Sequence, residues 1–516
     1  MIARVHAATC LGIQAVPVEI EVDVANGLPQ FSLVGLPDAS IREARERVRS
    51  AIHNSGFRFP PEKITVNLAP ADLKKEGPAF DLAIALGILA ASGQIPNDKL
   101  ASLAFFGELA LDGSLRPFRG ALVISQALYR ELEFVMPETN AIEGALESRA
   151  VVYQARSLGE VVKCLRGESS LRHAETTELS KQKKEETPGP DFSEIKGQPL
   201  ARRAAELAAA GAHNILFIGS PGSGKTMISH RMTSVLPELS HEETLEVTKI
   251  QSLVGLTSTA VPLIRHPPFR NPHHSVSAAA IAGGGGWPRP GEVSLAHGGV
   301  LFLDELPEFR RDVLETLRAP LEEGRILISR AKRQVEYPCR FMLVAAMNPC
   351  PCGWLYDTRK SCRCSLAQIQ KYQSRVSGPI LDRIDLHVEV PAVSYTTLLK
   401  EDSAESSAVI RKRVTRCRQL QARRYPDRTF KVNALMRPRE IKQHALPDSD
   451  GKRLLERAMK ELGLSARAYY KILKLGRTLA DLEAVRGEEK LPENDPVVRA
   501  HHIAEAIQYR ALDRQW

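Results

Sequence analysis

The rhythm of apolar and polar positions changes along the chain. In the first part, "VPVEIEVDVANG" alternates with a period of two and stops at Asn-Gly, which predicts a strand with one buried face running into a turn. "DASIREARERVRSAIHNSG" switches to helical spacing. Asp38 opens it, Ile41, Ala44, Val48 and Ile52 line one face, and Gly56 closes it. "AFDLAIALGILAASG" is apolar nearly all round, the pattern of a buried helix. Residues 1–168 therefore predict an α+β domain.

The rhythm lapses at residues 169–191, "SSLRHAETTELSKQKKEETPGPD", which hold almost no apolar side chains and end in Pro-Gly-Pro. An exposed linker is expected there. Beyond it the short runs "NILFIGS", "GVLFLDE" and "RFMLVAAMN" alternate with helices. Strands this continuously apolar are buried on both faces, so residues 192–395 predict an α/β domain with a parallel sheet. From 396 to 516 the strand signal fades, and "SSAVIRKRVTRCRQLQARRY", "SDGKRLLERAMKELG", "SARAYYKILKLGRTLADLEAV" and "VVRAHHIAEAIQYRAL" all carry helical periodicity. A helical subdomain is expected. The cations of "IRKRVTRCRQLQARRYPDR" are spread around its helix, which predicts a solvated face.

Composition changes this picture little. At 43% apolar and 25% charged residues, the 516-residue chain suits a soluble protein of several domains. The N-terminus lacks the apolar core of a signal peptide, and no window reaches the ~18 apolar residues of a membrane helix. A cytoplasmic location with no membrane contact is expected, and cysteines there stay reduced. The net charge of +9 permits a polyanionic partner without requiring one.

The chemistry begins at "NILFIGSPGSGKTMISHRM". Gly219, Ser220, Pro221, Gly222, Ser223, Gly224, Lys225 and Thr226 form G-x-x-x-x-G-K-T between an apolar strand and a helix, the context of a phosphate-binding loop. Its glycines let backbone N–H groups turn toward a phosphate, and the helix N-terminus adds positive potential. Lys225 is expected to reach the β- and γ-phosphates of ATP, and Thr226 to offer its hydroxyl to Mg²⁺. "GGVLFLDELPEF" ends a strand with Asp304, expected on the Mg²⁺, and Glu305, expected to orient the attacking water. Asn348, ending "FMLVAAMN", is a neutral polar group suited to sensing the γ-phosphate. A basic hairpin is expected in "GRILISRAKRQVEYPCRF", with Arg330, Lys332 and Arg333 at its tip.

These elements together resemble the AAA+ ATPases. "RNPHHSVSAAAIAGGG", "RPGEVSLAHGGVLFLDELPEF", "MNPCPCG", "SGPILDRIDLHVEV" and "LSARAYYKILKLGRTLADLE" narrow the resemblance to the magnesium-chelatase-like ComM/YifB family, over nearly the whole chain. The resemblance implies a homo-hexameric ATPase with a C-terminal helical lid. It also implies a DNA helicase that acts on single-stranded and branched DNA, driving branch migration in natural transformation. Arg383 in "LDRID" matches the arginine finger, which completes a neighbour's site, and Arg467 in "LSAR" matches the sensor-2 arginine; a structural salt bridge is the alternative for each. The basic hairpin corresponds to the one that points into the ring pore, where its cations would follow a phosphate backbone; solvated charges are the alternative. His273 and His274 lie in a second inserted element, as DNA contacts or as turn formers.

"LKKEGPAFDLAIALGILAASGQIP" resembles the Lon-protease-like (S5) fold. Ala79 stands where that fold carries its nucleophilic serine, and "RGALVISQAL" offers no lysine base, so a proteolytically inactive domain is expected. A chelatase-type motor that remodels a protein partner remains the competing reading. The resemblance does not lead chelatase motors to carry such a first domain or the cysteine pairs that follow.

"NPCPCGWLYDTRKSCRC" places Cys350, Cys352, Cys362 and Cys364 in paired C-x-C units. In a reducing compartment four thiolates suit tetrahedral Zn²⁺ best; free thiols, an iron–sulfur cluster or redox chemistry are the alternatives. A zinc clip there would stiffen the loop between Asn348 and the Arg383 segment. Cys10, Cys164, Cys339 and Cys417 are isolated and expected to pack as ordinary small apolar groups.

Overall fold

The computed structural model describes residues 2–510 except 176–188, 259–260, 286–287, 331–332, 356, 358, 395–403, 427–428 and 488–489. Most of the expected linker and the 395/396 boundary thus lie outside the described residues, as does Lys332. The chain forms two compact units, residues 1–185 with 244–264, and residues 186–243 with 265–516.

The first unit is built on an eight-stranded mixed sheet. Its centre is the antiparallel hairpin Ile2–Leu11 and Gln14–Ala25, extended by Lys63–Ala69 on one side and Leu103–Phe105 on the other. The period-two pattern turns Val18, Ile20, Val22, Ile64, Val66 and Leu68 to the core. Helix Asp81–Ala91 packs there with every residue buried, as its uniform apolarity predicts. Gly87 permits the approach, since a Cβ would come within 2.6 Å of Val22 Cγ2. The helical stretch after Asp38 breaks at Glu43 into Ala39–Arg42 and Ala44–Asn54, yet Ile41, Ala44, Val48 and Ile52 are all buried. Arg172–His173, inside the segment expected as linker, adds an edge strand against Val152–Ala155.

Segment 244–264, which sequence pattern kept inside 192–395, belongs to this first unit. Its anchor is the buried Glu143 carboxylate, which accepts from Ser252 Oγ (2.5 Å), Thr257 Oγ1 (2.9 Å) and the Leu122 N–H (3.0 Å). Burial pushes the Glu143 carboxyl upward, and these donors oppose it.

The second unit holds a five-stranded, wholly parallel sheet. Its order is Phe269–Arg270, Val300–Leu303, Met342–Met347, Ile215–Ile218, Leu386–Glu389. Val300–Leu303, Met342–Met347 and Ile215–Ile218 are buried at every position, the state their unbroken apolar runs predict. Helices Pro199–Gly211, Lys225–Val235, Ser407–Arg424 and Ala466–Ala484 share its core. The Ser407–Arg424 helix corrects the expectation of a solvated cationic face. Arg411 donates to Ser234 O, Arg418 to Ala209 O and Arg416 to Val485 O, while Arg413 pairs with Glu206 and Arg424 with Asp481. These guanidiniums close backbone carbonyls and carboxylates of other elements, a structural use of charge.

Candidate nucleotide site and metal centre

The loop between strand Ile215–Ile218 and helix Lys225–Val235 runs at the carboxyl edge of the sheet, where open α/β folds bind ligands. Gly222 and Gly224 take left-handed backbone conformations, with φ of 74° and 94°. At Gly219 a Cβ would lie 2.1 Å from Val390 O, so the chain closes there only without a side chain. Buried Gln198, which sequence gave no reason to single out, ties the loop down by donating to Ser223 O (3.0 Å) and Pro391 O (2.6 Å).

The expected nucleotide residues come together around Lys225. Its Nζ donates to Gly219 O (2.7 Å), Ser220 O (2.9 Å) and Asn348 Oδ1 (3.2 Å). Burial brings the ammonium down to about 8, against the pull of Asp304 and Glu305. Thr226 Oγ1 donates to Asp304 Oδ2 at 2.8 Å. Two oxygens this far apart are spaced like one edge of an octahedral Mg²⁺ shell, about 2.9 Å for bonds near 2.05 Å. Glu305 follows in a left-handed conformation (φ 52°), its exposed carboxylate 3.6 Å from His274 Nδ1. His274 in turn lies against His273, ring centroids 4.0 Å apart.

Arg383 and Arg467 sit at a second locus. Arg383 pairs with Glu322 and donates to Pro379 O, with its side chain only 8% exposed. Helix Ala466–Ala484 grips both sides of it. Arg467 reaches Asp382 (3.1 Å), and Lys471, one turn on, reaches Asp385 (3.2 Å) and Ile384 O (2.8 Å). The i, i+4 spacing of Arg467 and Lys471 was a signal available in the sequence. In the basic hairpin, Arg325–Arg330 pairs with Arg333–Pro338 up to Arg330 opposite Arg333.

The cysteines of the C-x-C pairs converge. Cys350 Sγ lies 3.4 Å from Cys352 Sγ and 3.7 Å from Cys362 Sγ, Cys352 and Cys362 are 3.6 Å apart, and the four sulfurs including that of Cys364 fall within 4.8 Å. These are not disulfide distances. A tetrahedron of sulfurs about 2.3 Å from Zn²⁺ has edges of about 3.8 Å, so the set fits that ion. Cys339 and Cys417 are buried, as small apolar residues are.

In the first unit, Ala79 is half-buried and Asp81 is paired with Arg47 at 2.7 and 3.1 Å. Burial pushes Asp81 up to about 6 against that guanidinium.

Comparison with known proteins agrees with this architecture. The family described as magnesium chelatase, subunit ChlI, matches residues 191–398; subunit ChlI of Mg-chelatase matches 20–140, and the ChlI C-terminal family 404–510. Competence protein ComM of Haemophilus influenzae is 45% identical, covering 99% of this chain and 98% of its own. YifB of Escherichia coli is 43% identical over 99% and 97%. Lon protease 2 of Bacillus subtilis is 28% identical over 31% of this chain and 30% of its own. The chain therefore belongs to the ComM/YifB family of magnesium-chelatase-like AAA+ proteins.

Proposed function

We propose that this protein is an ATP-driven DNA translocase that works as a hexameric ring in the cytoplasm and promotes branch migration during recombination in natural transformation. The observation that carries the ATPase part is the convergence of Lys225, Asn348, Thr226 and Asp304 at one sheet edge. Lys225 exchanges its carbonyl partners for the β- and γ-phosphates. Thr226 and Asp304 would hold Mg²⁺, which would supply charge neutralisation at the phosphate oxygens. Glu305 orients the attacking water, with His274 fixing the direction of its carboxylate. Arg383 leaves Glu322 to complete the site of the adjacent subunit, and Arg467 and Lys471 tie that movement to the lid. Cys350, Cys352, Cys362 and Cys364 hold a structural Zn²⁺.

The DNA part is supported by the full-length likeness to Competence protein ComM, by the net charge of +9 and by the basic hairpin. A second reading, a chelatase-type motor acting on a protein partner, is favoured by the chelatase family matches. The match over 20–140 removes the first domain as an argument against it and leaves the cysteine pairs as the discriminator. Unwinding of a three- or four-strand junction by the wild type and by Lys225→Ala tests the proposal. ATP-dependent branch migration lost in the variant is expected; ATP turnover indifferent to single-stranded DNA, with no junction unwound, would transfer the reading to the chelatase-type motor.

A further inference from the structure

The cysteine loop does more than follow the nucleotide sensor in sequence. Gly353 donates its N–H to Cys350 O (2.9 Å), closing the turn that carries the first thiol pair. Its other side lies against the phosphate-binding loop. A Cβ built at Gly353 would come 2.5 Å from Pro221 Cδ and 2.7 Å from Cγ, and with φ at +83° only glycine is comfortable there. Five residues beyond Cys352, the Asp357 carboxylate is held by Arg359 at 2.9 Å. Asn348, just before Cys350, accepts from Lys225. The loop thus touches the phosphate-binding loop at Pro221 and Lys225.

Other described contacts of this segment are single ones: Asp357 N–H to Trp354 O (3.2 Å), Gln373 Nε2 to Pro349 O (3.3 Å) and Lys360 over the Trp354 ring. Between Met342–Met347 and Leu366–Gln373 no described residue lies in a helix or strand, and of the four paired cysteines only Cys350 is fully buried. Short irregular segments without a core hold one shape through a metal or cross-links. Convergence of the thiols is the contact that draws the two ends of this segment together, and Gly353 with them.

We infer that the four-cysteine site is a metal-dependent buttress of the phosphate-binding loop, so that Zn²⁺ occupancy sets nucleotide affinity through Gly353–Pro221 and Asn348–Lys225. This rests on the zinc reading above but needs neither DNA nor a ring. Linkage makes it reciprocal: bound nucleotide slows the loss of zinc by the same coupling.

The test uses the full-length chain, with bound zinc counted by thiol-reagent release and a fluorescent ADP analogue titrated onto zinc-loaded, stripped and zinc-restored protein. Stripping is expected to weaken ADP about tenfold, a change of about 1.4 kcal/mol, and restoring zinc to recover it. ADP should also retard zinc release from the wild type. Zinc-holding protein whose ADP affinity stays within twofold on stripping, or whose zinc release ADP does not slow, overturns the buttress and leaves the metal site standing. Protein that takes up no zinc overturns the metal reading and the buttress together.

Discussion

Each compact unit buries a lysine whose ammonium donates to three oxygens. In the first unit Lys75 Nζ meets Gly35 O (3.0 Å), Leu68 O (2.8 Å) and Pro70 O, from two stretches of chain, and is fully buried. In the second, Lys225 meets Gly219 O, Ser220 O and Asn348 Oδ1 and keeps 8% of its surface. The partner counts match, but what the partners are for does not. The Lys75 acceptors lie in the turn at Gly35 and at the end of strand Lys63–Ala69, so the ammonium ties these two parts of the backbone together. Two of the three Lys225 acceptors are carbonyls of the loop that opens its own helix, five and six residues back, and the third is the Asn348 side chain. A fully buried cation held by backbone alone is structure. One that keeps some exposure beside the Asp304–Thr226 pair is, on the function proposed above, held for an anion.

Removing each ammonium should separate the roles. Lys225→Ala deletes the charge proposed to meet the transferring phosphate and is expected to lower ATP turnover roughly 10²–10³-fold. It should not lower the nucleotide-free stability, because the deleted charge is one that burial disfavours. Steady-state turnover and urea unfolding check the two halves. Lys75→Met keeps the aliphatic stem and orphans the carbonyls instead. A loss of about 2–3 kcal/mol is expected, read as reduced amide protection in strand Lys63–Ala69, with turnover per folded molecule unchanged. A Lys75 variant dead in ATP turnover yet fully stable would break the comparison.

A smaller effect sharpens it through pH. Without nucleotide the Lys225 ammonium titrates near 8, below its ordinary 10.5. A bound polyphosphate favours the charged form, so above pH 8 binding takes up a proton and ADP affinity falls as pH rises, by up to about tenfold per unit. Stability moves the other way. Between 8 and 10.5 the folded chain holds fewer protons than the unfolded one, so the nucleotide-free protein gains stability as pH rises. Both slopes should vanish in Lys225→Ala, when ADP titrations and urea unfolding are repeated at pH 7, 8 and 9.

The two lysines also mark how far the sequence could be read. That Lys225 would meet Asn348, and Thr226 Asp304, was legible because the loop is a local spacing between a strand and a helix and the others close apolar runs. The central parallel strands and the buried helix Asp81–Ala91 were legible for the same reason, since burial on every side leaves an unbroken apolar pattern. Nothing in "LKKEGPAF" sets Lys75 apart from its neighbours, because its partners are backbone carbonyls that no motif records. Segment 244–264 carried no sign that its anchor is Glu143, and the arginines of Ser407–Arg424 looked solvated because carbonyl acceptors leave no mark in sequence. Partners that are backbone, or distant, are what pattern reading misses.

The smallest expected effect reaches back to the first unit. Lys75 lies four residues before Ala79, where a Lon-like fold would place its nucleophile, and a lysine near that serine invites the thought of a latent dyad. A base needs a free lone pair, and Lys75 Nζ donates to three carbonyls inside the core. Ala79→Ser should therefore add a hydroxyl and nothing more. Stability should change by less than about 0.5 kcal/mol, and the variant should neither cleave a fluorogenic peptide nor be labelled by a fluorophosphonate. Labelling at that serine would mean that Lys75 surrenders a carbonyl in solution, and the two lysines would then differ in degree rather than in kind.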